Sequence, residues 1–207
     1  MGAAKGTLTY TTYYVLDEPG PGFRERFMGV IQKHAFRDID IDAGKDRSMG
    51  WVALDEPFDT ELSWGKVFRD PYVCLSLRED TIKVPKTVFQ VHYDKRERDF
   101  LAEQGRDSLK KSERSALKED VMVHLRRRAL PDIKAIDVVW NTVDGSLRLW
   151  TQSKRTRESF EEIVAESWGL RIVPNSPYTM MLARATDPET AVRLLDIEPA
   201  DLIGVAA

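Results

Sequence analysis

Cysteine is almost absent. Cys74 stands alone, and a single thiol cannot close an internal disulfide, so a reducing compartment is expected. Histidine is scarce as well: His34, His92 and His124 lie far apart and lack the spacing of a zinc pattern. No apolar run approaches the ~20 residues that a membrane span requires. Behind Met1-Gly2-Ala3-Ala4-Lys5-Gly6 there is no apolar h-region, which predicts no signal peptide. Gly6 also stands where a myristoylation signal wants Ser or Thr. A Gly-rich phosphate loop is missing too. Together these absences predict a cytoplasmic protein with no cofactor, no bound metal and no membrane partner. An excess of positive charge is missing as well. The net charge is −3 over 207 residues, so any surface for nucleic acid has to be a local patch. What is present is the composition of a folded chain, 42% hydrophobic and 31% charged, long enough for one sizeable domain or two small ones.

Local patterns predict an α+β fold, with a mixed or antiparallel sheet body packed with helices. Leu8 to Val15 (LTYTTYYV) has the Thr, Tyr and Val content of a strand. Pro19-Gly20-Pro21-Gly22 forces a turn. Phe23, Phe27, Val30, Ile31 and His34 then form one helical stripe. Residues 37–48 read as a loop, Gly50-Trp51-Val52 as a short apolar insert, and Tyr72 to Leu77 as a strand. From Lys86 to Ala129 there is no proline and one glycine, Gly105, among dense mixed charges. Two helices are expected there, about 86–104 and 112–129, with Ser112 as N-cap of the second and Leu117, Val121 and Leu125 as a narrow seam. The pair predicts a charged helical hairpin over 85–131, projecting from a sheet-based body made of 1–84 and 132–207. Ile136–Trp140 and Leu147–Trp150 flank Asp144-Gly145, a two-residue hairpin signal. A helix opening at Ser153 or Thr156 carries Phe160, Ile163, Val164 and Ser167 on one face and stops at Gly169. Arg171–Val173 reads as a short strand, and Asp187-Pro188 starts a last helix.

Three stretches resemble a known family. Met49-Gly50-Trp51-Val52 is similar to its M-G-W-V segment. Ser108-Leu109-Lys110-Lys111-Ser112-Glu113-Arg114-Ser115-Ala116-Leu117-Lys118-Glu119-Asp120-Val121 looks like its run K-K-x-E-K-x-x-L-K-D-E-V. Arg128-Ala129 stands where it has P-R-A-F. In this order, over about residues 7–178, they resemble the N-terminal part of the RdgC family of recombination-associated DNA-binding proteins. The family's C-terminal segment, which helps close a ring, has no counterpart in these 207 residues. The resemblance implies a non-sequence-specific DNA binder that modulates RecA-driven recombination, without catalytic residues or cofactor. It implies a homodimer around duplex DNA (single-stranded DNA being the alternative), nucleoid association, and a recombinase or other protein as a further partner. The helical insertion corresponds to the family's tip, where subunits meet. Leu130 takes the place of an aromatic there and is the expected oligomer contact.

Three basic clusters are the candidate DNA contacts, because phosphates need closely spaced positive charge and arginine offers a planar bidentate fork. Arg126, Arg127 and Arg128 form the densest run. Successive helical residues are ~100° apart, so two at most address one duplex; stabilising a helix C-terminus would explain the same residues. Lys110, Lys111, Arg114 and Lys118 form the second cluster, three of them at i, i+4 and i+8. A solvated helix face, with Glu113 and Glu119 nearby, is the rival explanation. Lys154, Arg155 and Arg157 sit at a helix N-terminus, where cations oppose the dipole and backbone N–H groups can bind phosphate. Trp51, Trp140, Trp150 and Trp168 read as core, whereas Trp64 lies in a polar segment. Asp38, Asp40 and Asp42 alternate like a calcium loop but lack its glycine and glutamate. Asp132-Ile133-Lys134 is half of a metal-nuclease signature that needs a partner acid such as Asp120. The alternatives to DNA binding are therefore a protein-interaction module on the same fold and a metal-dependent nuclease.

Overall fold

A computed structural model of the chain describes residues 2–3, 9–17, 19–184 and 187–195. Its elements, in order, are β1 (Thr11–Val15), α1 (Phe23–Lys33), β2 (Arg47–Val52), α2 (Trp64–Val67), β3 (Phe68–Arg69), β4 (Tyr72–Thr81), α3 (Lys86–Gln104), α4 (Lys111–Arg128), β5 (Asp132–Asn141), β6 (Ser146–Leu149), α5 (Lys154–Trp168), β7 (Ile172–Pro174), α6 (Pro177–Arg184) and α7 (Pro188–Leu195). The fold is α+β. Among the described residues, seven strands make one sheet in the order β2-β4-β5-β6-β1-β7, with β3 also on β4. Each of its pairings is antiparallel. The longest ladder, β4 with β5, runs from Tyr72 opposite Asn141 to Thr81 opposite Asp132.

Alternation along the strands sorts the side chains. Val73, Leu75 and Leu77 of β4, Ile136, Val138 and Trp140 of β5, and Leu147 and Leu149 of β6 are buried in one cluster with α1 and α5. From α1 come Phe27, Met28 and Ile31; from α5 come Phe160, Ile163, Val164 and Trp168. Trp168 stacks on Trp51 and Trp140, with ring centroids 5.0 and 5.9 Å apart. Trp51 Nε1 donates to Ser167 Oγ at 3.0 Å, which satisfies a buried indole. Ser153 is the N-cap of α5, accepting from the Thr156 N–H.

The opposite face of β4 and β5 is buried as well, but polar. Ser76 donates to Asp137 Oδ1 at 2.6 Å. Arg78 makes two hydrogen bonds to Asp80, at 2.7 and 2.6 Å, and donates to the Pro57 carbonyl at 3.1 Å. The Phe36 and Phe58 rings lie 4.0 and 4.9 Å from its guanidinium carbon. Burial pushes the Cys74 thiol up, against the pull of Arg69.

α3 and α4 leave the sheet at the Thr81/Asp132 end of the β4–β5 ladder and pack on each other. Tyr93, Leu109, Leu117, Val121 and Leu125 form a cluster of their own between them. α3 ends on Gly105 at φ 62°, a left-handed C-cap.

Several boundaries differ from the expectations. The first strand starts at Thr11, and Leu8 lies outside the described residues. Gly50-Trp51-Val52 is no loop insert but the end of β2, paired with β4. β4 runs four residues past Leu77, through Arg78-Glu79-Asp80-Thr81. Its charges are tolerated in a buried strand because Arg78 and Asp80 share a face and satisfy each other. The β5–β6 connection has four residues, 142–145, in place of a two-residue turn. The Asn141 and Asp144 side chains accept the Val143 and Ser146 N–H groups and so make the turn themselves. The N-cap of α4 is Lys110, two residues earlier than Ser112. Glu113 accepts the Lys110 N–H at 2.8 Å and is held by Arg106 at 2.8 and 3.0 Å.

Candidate nucleic-acid interface

A basic ridge forms where the helical hairpin joins the sheet, and three segments build it. The first is the end of α4. Leu117, Val121 and Leu125 bury one side of that helix, while Arg126 and Arg127 reach the loop before β2 and Arg128 lies exposed next to His124. Arg126 Nη1 donates to the Gly44 carbonyl at 3.0 Å, and its Nη2 lies 3.8 Å from Asp46. Arg127 Nη2 donates to Asp42 Oδ1 at 2.6 Å. That bond holds the Arg127 proton more tightly than usual. Both partners of this pair are open to water, at 61% and 74% exposure, so the pair is weak and replaceable.

The second segment is the loop itself, which runs into β2. The Asp46 carbonyl accepts the Ile82 N–H at 2.8 Å, fastening the loop to the root of the hairpin. Arg47 lies in ion-pair contact with Glu79, 2.7 Å away. Its Nη2 reaches Ser159 of α5 at 2.9 Å.

The third segment is the first two turns of α5. Lys134 of β5 donates to Thr156 Oγ1 at 2.7 Å, tying that helix end to the same corner of the sheet. Lys154 and Arg155 are exposed there, and Lys154 has only a loose contact with Glu158, 3.9 Å away. Arg157 points elsewhere. It is half-buried, its Nε has no partner, and its charge acts on Tyr13. Tyr13 donates to Glu161 at 2.8 Å, and burial raises its phenol above the ordinary value.

The structure thus links the end of α4 and α5 to one stretch of chain: Arg126 and Arg127 touch residues 42–46, and Arg47, next in sequence, reaches Ser159. The remaining cluster stays apart. Lys118 lies eight residues before Arg126 on α4, about 12 Å along a helix axis at 1.5 Å per residue. Lys110, Lys111 and Arg114 are farther still. All four are exposed, and Lys118 Nζ sits 5.7 Å from the Tyr93 ring. Arg47 and Lys134 were missed in the sequence, because each is one charge among acids. Only the strand register shows them reaching α5.

Other expected residues fall as follows. Leu130 is 92% exposed just after α4, and Val88 and Val91 of α3 are exposed as well. Trp64 is partly exposed and packs against Phe68 at 4.9 Å. Trp150 is half-buried against Tyr10 and not in the main core. Asp120 lines a groove between α3 and α4 with His92, Lys95, Asp99 and His124. Asp132 stands at the start of β5, paired with Thr81, and is not part of that groove. Among the described residues, no three His, Cys, Asp or Glu side chains converge as a metal site. No described helix is long and apolar enough to cross a membrane.

A family model described as "Putative exonuclease, RdgC" matches residues 12–186, nearly the whole described chain. The chain belongs to the RdgC family. Membership supports, at the level of the family, a recombination-associated protein. No curated protein matches the chain.

Proposed function

We propose that this RdgC-family chain is a non-sequence-specific DNA-binding protein that holds the phosphate backbone on the ridge at the root of its helical hairpin. The observation that carries this reading is the convergence of two separate basic clusters. Arg126 and Arg127 meet the loop before β2, and Arg47, from the strand that follows this loop, meets Ser159 of α5, the helix that opens with Lys154 and Arg155. Helix stability alone does not explain exposed cations at an N-terminus, where they oppose the dipole. On a chain of net charge −3, this clustering gives the local field that a phosphate backbone needs. Arg126, Arg127, Arg128, Lys154 and Arg155 are the phosphate contacts. Lys110, Lys111, Arg114 and Lys118, farther out on α4, extend the contact along the duplex. Arg157 supports the α5 end from inside. The protein acts as a homodimer through Leu130, on the nucleoid, and modulates a recombinase of the RecA type without catalysis.

A second reading, a protein-interaction module, draws on the apolar side chains Val88, Val91 and Leu130 exposed at the same root. Binding of labelled duplex DNA to wild type and to Arg127→Ala/Arg155→Ala separates the two. A steep fall with salt that the double variant lessens supports phosphate binding. An absence of binding at low salt defeats it and leaves the protein-interaction reading. The exonuclease of the family's description is tested by incubating DNA with Mg²⁺. Degradation that Asp132→Ala abolishes would make the chain a nuclease.

A further inference from the structure

A second basic surface lies beside the ridge, on the other side of the loop before β2. It is a groove of about 480 Å³ between the end of α1 and the start of β2, and Lys33, Arg37, Lys45 and Arg47 line it with His34 and Ser48. We propose that this groove is a phosphate subsite, taking the sugar-phosphate backbone of a nucleic acid that continues past Arg126 and Arg127.

Three features support this ligand. First, Lys33, Arg37 and Lys45 are exposed, and among the described residues none of the three stands in an ion pair. Their positive charge is therefore available to a ligand, unlike that of Arg47, which Glu79 already holds. Second, cations outnumber carboxylates in the lining, Lys33, Arg37, Lys45 and Arg47 against Asp38 and Asp40. The His34 carbonyl at the end of α1 accepts the Trp51 N–H at 3.0 Å. Asp40 accepts the Ala43 N–H at 3.0 Å and serves the turn. Asp38 is the other carboxylate in the lining, and both keep their negative charge. Third, the groove is built and not incidental. Gly50 has no room for a side chain, because a Cβ there would stand 2.5 Å from the Phe36 Cα. The Phe36 N–H donates to the Trp51 carbonyl at 2.9 Å. That close approach fixes the chain at Phe36 and so sets Arg37 against the start of β2. The Ser48 hydroxyl completes the clamp by donating to the Arg37 carbonyl at 2.5 Å. The track is continuous with the ridge, since Gly44 and Asp46, which flank Lys45, are the residues that Arg126 touches.

The inference rests on the DNA-binding reading, and one experiment tells their failures apart. Binding of a fluorescein-labelled duplex is measured by anisotropy across a salt series. The wild type is compared with Lys33→Ala/Arg37→Ala/Lys45→Ala and with the charge-keeping Lys33→Arg/Lys45→Arg. Each backbone phosphate engaged contributes about 0.9 to the slope of log K against log salt. The triple variant is expected to lose up to about 2.7 of that slope, with the charge-keeping variant close to wild type. Wild-type binding with a triple-variant slope equal to it overturns the groove and leaves the ridge standing. No wild-type binding at low salt overturns both. Far-ultraviolet circular dichroism checks folding. If the triple variant is unfolded, Arg37→Gln alone decides the question: a slope smaller by about 0.9 supports the groove, and an unchanged slope overturns it.

Discussion

Replacing Asp80 by alanine should damage the fold far more than replacing any surface acid. Arg78 and Asp80 are 7% and 2% exposed, and their two hydrogen bonds, 2.7 and 2.6 Å long, form a bidentate pair. In Asp80→Ala the guanidinium stays under Phe36 and Phe58 with the Pro57 carbonyl as its remaining acceptor. A buried charge that loses its partner costs about 3–5 kcal/mol. For a chain of this size each kcal/mol lowers the melting temperature by about 2–4 °C, so a drop of roughly 6–20 °C is expected. Removing both charges, as in Arg78→Met/Asp80→Leu, should restore much of the loss, because the cost lies in the unpaired ion and not in the missing pair. Glu158→Ala is the control. Its contact with Lys154 is long and exposed, and such pairs contribute at most about 0.5 kcal/mol. Urea unfolding followed by tryptophan fluorescence reads all of them. A loss below about 1 kcal/mol for Asp80→Ala, or a double variant as unstable as the single, would refute the argument.

Three further outcomes follow from named contacts. Ser167→Ala leaves the buried Trp51 Nε1 without its acceptor and should lower stability by about 1–3 kcal/mol in the same urea assay, with Ser167→Thr closer to wild type. The hairpin should loosen in acid. Arg106 and the Lys110 N–H push Glu113 down from 4.5 to about 2. That stabilisation is therefore complete above pH 4.5 and is lost as pH falls toward 2. Hydrogen exchange of α4 amides should rise across that window, and Glu113→Gln should remove the dependence. Asp42→Asn frees Arg127 from its exposed partner, so duplex DNA should bind more tightly at low salt. Weaker binding in that variant would mean that Asp42 orients Arg127 for DNA and does not compete with it.

The helical parts of the fold were legible because period and punctuation agreed. Phe160, Ile163, Val164 and Ser167 of α5 are buried as their spacing predicts, and Gly169 ends the helix at φ 63°. Leu117, Val121 and Leu125 likewise form the inner seam of α4. The sheet was less legible wherever polar residues are buried. The expected strand stops at Leu77, short of Arg78 and Asp80, because only the register with β5 and the loop at Pro57 and Phe58 reveals that they satisfy each other. The short helix α6 gave no clear period and was not anticipated, and its neighbour α7 was anticipated only from Asp187-Pro188, whose carboxylate accepts the Thr190 N–H at 2.7 Å. Of the candidate site, the charges were visible but their grouping was not. Arg155 and Arg157 are two residues apart in sequence, yet one is exposed and the other is half-buried, its charge acting on Tyr13. Lys45 and Arg47 looked like part of a wet loop, because the acids Asp38, Asp40 and Asp42 alternate beside them and hide the basic patch in any local count.

The most direct test of the central claim is the salt dependence of duplex binding by the intact chain. Log K should fall linearly with log salt, with a slope of about −0.9 for each phosphate engaged, and Arg126→Ala/Arg127→Ala should lower that slope by nearly two such steps. A chain that binds no duplex at low ionic strength, or whose binding ignores both salt and these two arginines, would contradict the account.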